Sequence, residues 1–187
     1  MRTTWIASVV VVLATAATAE ARTGLELAGG LQAGEISCRS EGDDCNGFTA
    51  AGGLALDTAY MLGPRFGLAL DLWGMSHRKS SFTFSHYVNT LGVKVRPVQF
   101  LTLSAGLGAA HASVDYHGRF ADSRVTSDTA FAIMTAAAVD VLRSQRWALS
   151  VELRFGTGFY GKDDDERTED IVGRNVGLGA AFTVFGF

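Results

Sequence analysis

The sequence is poor in residues that interrupt strands or cross-link the chain. Its 187 residues include only two prolines and two cysteines, against 22 glycines and 12 phenylalanines. Alanine, leucine and valine are also abundant, and this composition favours a sheet. The length is sufficient for one domain and gives no clear indication of two.

Excess charge of either sign is absent as well. The formal net charge is −3 at pH 7, and no cluster of basic residues dominates the chain. A nucleic-acid partner normally requires a basic surface, so we expect none. The sequence contains no tandem repeat longer than the period of a strand. We also expect no cofactor.

Long apolar runs are missing after the N-terminus. No stretch of 18 apolar residues follows, so no transmembrane helix is predicted. The N-terminus itself has a basic start at Arg2, an apolar stretch over 5–14 and small residues after it. This order predicts a secretory signal peptide over 1–21, cleaved after Ala19 or Ala21, with a retained N-terminal anchor as the alternative.

The two cysteines, Cys38 and Cys45, lie in one polar segment. An even pair in an exported protein is typical of a disulfide. A metal site is the alternative, but it normally requires a second pair of cysteines or histidine ligands nearby, and none is evident. We therefore predict a Cys38–Cys45 disulfide and no metal site.

Alternation of apolar and polar residues recurs in eight segments, as expected for strands with one apolar face. The segments are 24–34, 47–60, 66–75, 82–96, 101–109, 129–141, 147–158 and 175–187. The connections after the first, third, fifth and seventh segments are mostly long and polar. Those after the second, fourth and sixth are short. This asymmetry is typical of outer-membrane barrels, which have short periplasmic turns and longer external loops.

The opposite face of these strands carries small, polar and charged residues. In a soluble, lipocalin-like barrel the apolar face would turn inward, whereas in a membrane it faces lipid. The polar face is rich in Gly, Ala, Ser and Thr, which suit a narrow lumen better than a solvated surface. We therefore expect the charged residues to form an ion-paired network that fills the lumen. Its predicted members are Asp57, Asp71, Lys94, Arg96, Asp140, Glu152 and Arg154.

The final segment ends the sequence on an aromatic residue, Phe187. With the signal peptide, the strand count and the loop asymmetry, this resembles the small outer-membrane barrels of the OmpA/OmpX and opacity-protein type. The resemblance implies an all-β, eight-stranded antiparallel up-and-down transmembrane β-barrel over 22–187. It also implies location in the cell outer membrane, a monomer, lipid and lipopolysaccharide as surroundings, and Phe187 as a signal for the barrel-assembly machinery.

One feature of the last segment departs from that family. Phe187 and Phe185 are in phase with Thr183, not with the apolar residues Phe182 and Val184. A β-bulge near 183–186 would bring the terminal aromatic back to the apolar face.

An enzymatic alternative rests on His111, Ser113, Asp115 and His117, which alternate along one segment. The His111–Ser113 pair resembles that of lipid A deacylases, which act on the lipid-facing side of a barrel, but those enzymes follow the serine with Asn rather than Val114. Successive members on a strand are about 7 Å apart, too far for direct hydrogen bonds within a triad. A polar rim where the strand leaves the bilayer is the preferred interpretation.

An acidic run over 163–166 could hold Ca²⁺, but it lacks the glycine and the ligand spacing of a calcium loop. A solvated external loop is the preferred interpretation. The sequence thus predicts a non-enzymatic barrel acting in envelope structure or surface interaction. A lipid-modifying hydrolase and a secreted or periplasmic ligand-binding barrel are the two alternatives.

Overall fold

Every regular element of the structure is a β-strand. The computed structural model describes residues 23–39, 47–79, 82–117, 122–160 and 171–186. Within these ranges it contains no helix with the length and apolar character needed to cross a membrane. The strands are β1 (Gly24–Arg39), β2 (Gly47–Met61), β3 (Phe66–Lys79), β4 (Phe82–Val98), β5 (Leu101–His117), β6 (Asp122–Thr126), β7 (Ala130–Arg143), β8 (Trp147–Tyr160) and β9 (Ile171–Phe185).

Eight of these strands close into a barrel. Consecutive strands of the barrel pair antiparallel, with β5 paired to β7 because the short β6 lies outside the barrel, and β9 returns to pair with β1 along its length. The β4–β5 pairing joins what would otherwise be the two ends of the sheet. The predicted eight-stranded antiparallel barrel, with its last strand paired to its first, is confirmed.

The short β6 stands apart from the barrel wall. It pairs only with the end of β5 among the described strands, from Ser113↔Thr126 to His117↔Asp122. The alternation ends at 109 and resumes at 129, which predicts a polar connection between these segments, and this prediction is wrong for 122–126. The β5–β6 hairpin extends past the lipid-facing part of the barrel and needs no apolar face. Its sequence therefore shows little alternation of apolar and polar residues.

The barrel strands extend beyond the predicted segments at the long-connection end. β1 continues to Arg39, β3 to Lys79, and β9 begins at Ile171. Backbone hydrogen bonds hold these extensions whether or not their side chains alternate in polarity. Apolar periodicity therefore reports only the part of each strand that faces lipid.

The apolar face of each strand points outward. Leu31, Leu54, Leu91 and Leu107 are among the exposed large hydrophobic residues, whereas charged residues such as Asp71 and Arg154 are buried inside. This arrangement matches a membrane barrel and is the reverse of a soluble one.

The terminal strand contains no bulge within its described part. β9 pairs in unbroken register with β1 and β8 as far as Phe185 and Val184, and Phe185 is buried inside the barrel. Register shifts lie instead in β4, between Val95 and Val98, and in β7, between Asp140 and Leu142. Phe187 lies outside the described residues.

The barrel interior as candidate functional site

The interior divides into two halves along the barrel axis. The inward positions of β8 show this in order: Ser150, Glu152 and Arg154 near the short turns, then Gly156 and Gly158 towards the long connections. The other strands follow the same order. We call the part near the short turns the charged half and the other part the packed half.

An arginine fork closes the charged half near the short turns. The guanidinium of Arg96 donates two hydrogen bonds to the carboxylate of Glu26, of 2.6 and 2.7 Å. The ring of Phe185 lies 5.4 Å from the Arg96 guanidinium carbon, and Arg143 approaches the same ring at 6.0 Å. The inward Phe185 thus packs against two cations at the end of the lumen.

A second group of ion pairs crosses the middle of the barrel. Lys94 of β4 contacts Asp57 of β2. Arg154 of β8 donates to Asp71 of β3 at 2.9 Å and contacts Glu152, its neighbour on the same face, at 2.8 Å. The Arg154–Asp71 pair joins strands on opposite sides of the barrel, whereas the Lys94–Asp57 pair bridges across β3 between two strands on the same side.

The third group lies beside the register shift of β7. Ser150 donates a hydrogen bond of 2.8 Å to Asp140, and Arg143 forms an ion pair of 3.3 Å with the same carboxylate. Gln32 donates to Glu152 at 3.2 Å and so connects β1 to the central pairs. All seven residues of the predicted network point into the lumen and have these polar partners.

The space among these side chains is small. A cavity of about 40 Å³ lies between the charged groups of β2, β4, β7 and β8. One water molecule needs about 10–15 Å³ of such space, so this cavity holds at most a few waters. Several buried charged atoms are therefore satisfied by each other rather than by a continuous water column.

Apolar side chains fill the packed half. Trp73, Met75, Val88 and Met134 are each no more than 1% exposed, and they form one cluster with Ile36 and inward alanines. The Trp73 ring reaches the far wall, because a Cβ added at Gly177 would meet its Cζ2 atom at 3.0 Å. Only glycine on that wall leaves room for the indole.

A polar pair lies within this packing. Nδ1 of His86 lies 2.8 Å from Oδ1 of Asn175, and Nδ2 of Asn175 donates to the His86 carbonyl at 3.4 Å. The imidazole also packs against the ring of Tyr160, at 6.0 Å between centroids. Space for its other nitrogen comes from Gly173, where a Cβ would lie 2.9 Å from Nε2.

The predicted hydrolase residues lie outside this interior, on the outward face of β5. The ring of His111 stacks on Tyr87 at 4.8 Å, and Ser113 is buried beneath its neighbours with an unpaired hydroxyl among the described residues. Asp115 forms an ion pair of 3.2 Å with Arg124 of β6. The structure does not bring these groups into a nucleophile–base arrangement.

Some predicted features lie beyond the described residues. Cys45 and the acidic run 163–166 are outside them, and only the backbone of Cys38 and of His117 is described. Among the described residues, no group of three or more His, Cys, Asp or Glu side chains is placed to bind a metal ion.

Sequence reasoning missed several interior residues. The sequence predicts a turn at Arg143, because the register shift that directs its side chain into the lumen leaves no mark in the alternation. His86 and Asn175 were not singled out, although both lie in phase with inward residues of their strands. The pairing of Arg96 with Glu26 is likewise not predicted by the sequence.

Comparison with solved structures gives the same architecture. The attachment invasion locus protein Ail of Yersinia pestis aligns with a TM-score of 0.55 and 14% identity, covering 86% of this chain and 99% of Ail. Neisserial surface protein A, NspA, aligns with a TM-score of 0.56 and 14% identity, covering 89% of this chain and all of NspA. Ail has also been solved with the heparin analogue sucrose octasulfate, and that structure aligns with a TM-score of 0.56. At these identities the likeness shows the fold alone.

Comparison of the sequence with characterised proteins gives no match. The family model of the outer membrane protein β-barrel domain does match, over residues 5–183. The match spans nearly the whole chain and agrees with the closed barrel and its outward apolar face. The chain therefore belongs to the outer-membrane β-barrel family, and its location is the cell outer membrane.

Proposed function

We propose that this protein is a non-enzymatic barrel with a closed interior, which acts in envelope structure or in surface interaction through its long connections. The observation that supports this is the interior itself. Ion pairs fill one half and the Trp73 cluster fills the other, and a cavity of about 40 Å³ lies between the charged groups. A narrow eight-stranded barrel is filled by its own side chains, so solute passage has no path.

The proposed orientation places the short turns in the periplasm and the long connections outside the cell, as in other barrels of this kind. Lipopolysaccharide is then the neighbour of the long-connection end. Positions near Gly42, Arg119 and Asp165 would be external, and Gly63, Pro97 and Ser144 periplasmic. Cysteine labelling of intact cells lacking Cys38 and Cys45 tests this, and labelling at 144 but not at 165 contradicts it.

The closed interior is tested by conductance in planar bilayers. We expect no steady current from the purified wild-type protein, because the ion pairs and the Trp73 cluster leave no continuous water path. The matched variant is Trp73→Ala, which removes the largest fully buried side chain of the packed half. A stable pore of nanosiemens size in the wild type would contradict the proposal and favour a channel.

Enzymatic activity is tested at the same time. We expect the purified protein to release no fatty acid from lipopolysaccharide. Release that is lost in Ser113→Ala would instead support a hydrolase. Ser113→Ala alters only one hydroxyl, so its folding can be checked by the shift of closed barrels on unheated gels.

Three further features are part of the proposal. Residues 1–21 act as a signal peptide that leaves a barrel domain over 22–187, and the mature protein is a monomer inserted by the barrel-assembly machinery. Cys38 and Cys45 form a disulfide in the first long connection. Mass measurement of the mature chain and thiol titration of the unreduced, denatured protein test these, and two free thiols would refute the bridge.

A further inference from the structure

The short turns carry positive charge and no negative charge. The described turn segments 62–65, 99–100 and 144–146 contain two arginines and no Asp or Glu. Both arginines, Arg65 and Arg146, are exposed. Exposed charges at the other end of the barrel are mixed, with Glu35 and Asp128 as well as Lys79 and Arg124. Within the described residues, the purely basic character is therefore specific to the short turns.

Each of these arginines is followed directly by an exposed aromatic residue that begins the next strand. Phe66 opens β3 and is 43% exposed, and Trp147 opens β8 and is 38% exposed. Trp147 also stacks on Phe182 of β9, at 5.9 Å between ring centroids. Both aromatic rings therefore lie on the outward face at the end of the lipid-facing surface.

The neighbouring strands fix where both arginines leave the backbone. The carbonyl of Arg65 accepts a hydrogen bond of 2.8 Å from the N–H of Arg96, and the carbonyl of Arg146 accepts one of 2.9 Å from Phe185. The turn residues are thus held by the sheet rather than free to move. An arginine side chain at this level reaches the plane where lipid phosphates lie, while the adjacent ring sits at the interface.

We propose that Arg65–Phe66 and Arg146–Trp147 are two binding sites for anionic phospholipid headgroups, in the membrane leaflet at the short-turn end. The aromatic ring packs on the glycerol and upper acyl region, and the guanidinium pairs with the phosphate, to which its planar donors are suited. Phosphatidylglycerol binds more tightly than phosphatidylcholine, because the negative charge of its phosphate is not cancelled by a choline.

The two sites act independently. In the order of strands around the barrel, two strands lie between the β2–β3 hairpin and the β7–β8 hairpin on either side, namely β1 and β9 on one and β4 and β5 on the other. They are therefore on opposite sides of the wall. In the remaining short turn Phe100 takes the place of the arginine, because its carbonyl accepts a hydrogen bond of 2.9 Å from the N–H of Asp140 and Leu101 then opens β5, so this turn has no cation at that position.

Quenching of Trp147 fluorescence by brominated lipids tests the Arg146 site. The protein isolated from the outer membrane is placed in phosphatidylcholine vesicles containing dibrominated phosphatidylglycerol or dibrominated phosphatidylcholine. Its tryptophans are then Trp73 and Trp147, because Trp5 is removed with the proposed signal peptide. Trp73 is 1% exposed inside the barrel and contributes only a constant background. Both leaflets carry the probe, so the result does not depend on the orientation of the barrel.

We expect the wild type to prefer dibrominated phosphatidylglycerol by about fivefold, the equivalent of about 1 kcal/mol for one basic residue at an anionic surface. Arg146→Gln abolishes this preference, Arg146→Lys retains most of it, and 0.5 M salt reduces it. Arg65→Gln, on the opposite side, leaves it unchanged. In a protein with Trp147→Phe and Phe66→Trp, the fluorescence reports on the Arg65 site. The preference for dibrominated phosphatidylglycerol is then abolished by Arg65→Gln and left unchanged by Arg146→Gln.

Equal quenching by the two lipids in the wild type overturns the proposal, and an acidic protein partner for this end would give that result. A preference that survives Arg146→Gln overturns it as well, as does one that Arg65→Gln removes equally. Should Arg146→Gln fail to fold, the salt dependence of the wild type and the Phe66→Trp reporter decide in its place.

Discussion

The two halves of the lumen solve the same problem with different chemistry. Both must fill a tube whose wall is fixed by backbone hydrogen bonds. The charged half does so with long polar side chains whose charges neutralise one another across the barrel, such as Arg154 with Asp71. The packed half uses one large ring, Trp73, opposite glycines that make room for it.

The difference lies in how each half responds to loss of a side chain. A buried charge without its partner has a large desolvation penalty, whereas a missing apolar group leaves a cavity or lost contacts. Stability lost in the charged half should therefore be recovered by neutralising the charged partner that remains. Stability lost in the packed half should be recovered by a second substitution that restores the total side-chain volume. The following predictions test this contrast, starting from the largest expected effect.

The largest effect is expected for Arg154→Ala. This variant leaves Asp71 and Glu152 without their cation inside the barrel, and breaking such a pair is destabilising by about 3–5 kcal/mol. Denaturant unfolding in lipid vesicles, followed by the unheated-gel shift, measures the change in unfolding free energy. We expect Glu152→Ala to be destabilising for the same reason, since it removes one of the two carboxylates that balance Arg154.

The control is Leu149→Ala on the outward face of the same strand, which leaves no buried charge and should be less destabilising than either variant. Adding Asp71→Asn to Arg154→Ala should recover part of the loss, because one orphaned carboxylate is then neutral. Wild-type stability in both Arg154→Ala and Glu152→Ala would contradict the ion-paired lumen.

A smaller effect is expected for Gly177→Val in the packed half. The new Cβ would lie 3.0 Å from the Trp73 ring and 3.1 Å from Gln32, so the indole must move. Overpacking of this kind is destabilising by about 1–3 kcal/mol. The same unfolding measurement applies, and Gly63→Val is the matched control, because a Cβ at Gly63 meets nothing within 4 Å.

Compensation by volume distinguishes this variant from Arg154→Ala. Trp73→Leu added to Gly177→Val should recover stability relative to either single change, since the smaller side chain makes room for the valine. Equal losses from Gly177→Val and Gly63→Val would show that the Trp73–Gly177 approach does not constrain the packed half.

The number of barrel strands, the lipid-facing side of each and the inward charges could be predicted from the sequence because alternation with period two is a local signal. Leu54 and Asp57, for example, lie on opposite faces simply because they are three residues apart on one strand. The wall then closes by the requirement that no sheet edge faces lipid. These features need no knowledge of which strand lies opposite which.

The pairing of side chains across the lumen could not be predicted in this way. Which acid meets Arg96 or Arg154 depends on the stagger of strands around the barrel, and no local pattern encodes that stagger. The register shift beside Asp140 turns Arg143 inward, and a single extra residue is invisible in an alternation already weak near the turn. The sequence does not predict the strand β6, because it lies outside the lipid-facing region and therefore has no alternation of apolar and polar residues.

The smallest effect is expected when the polar pair of the packed half is removed as a whole. Asn175→Ala alone leaves Nδ1 of the buried His86 unpaired, and an orphaned buried polar group is destabilising by about 1–3 kcal/mol. His86→Leu together with Asn175→Leu removes both polar groups while keeping much of the volume, and such replacement is nearly neutral. Unfolding in lipid vesicles should therefore place the double variant closer to the wild type than Asn175→Ala. The reverse order, with the double variant the least stable, would show that the pair itself holds this half together, and that the packed half depends on polar contacts as the charged half does.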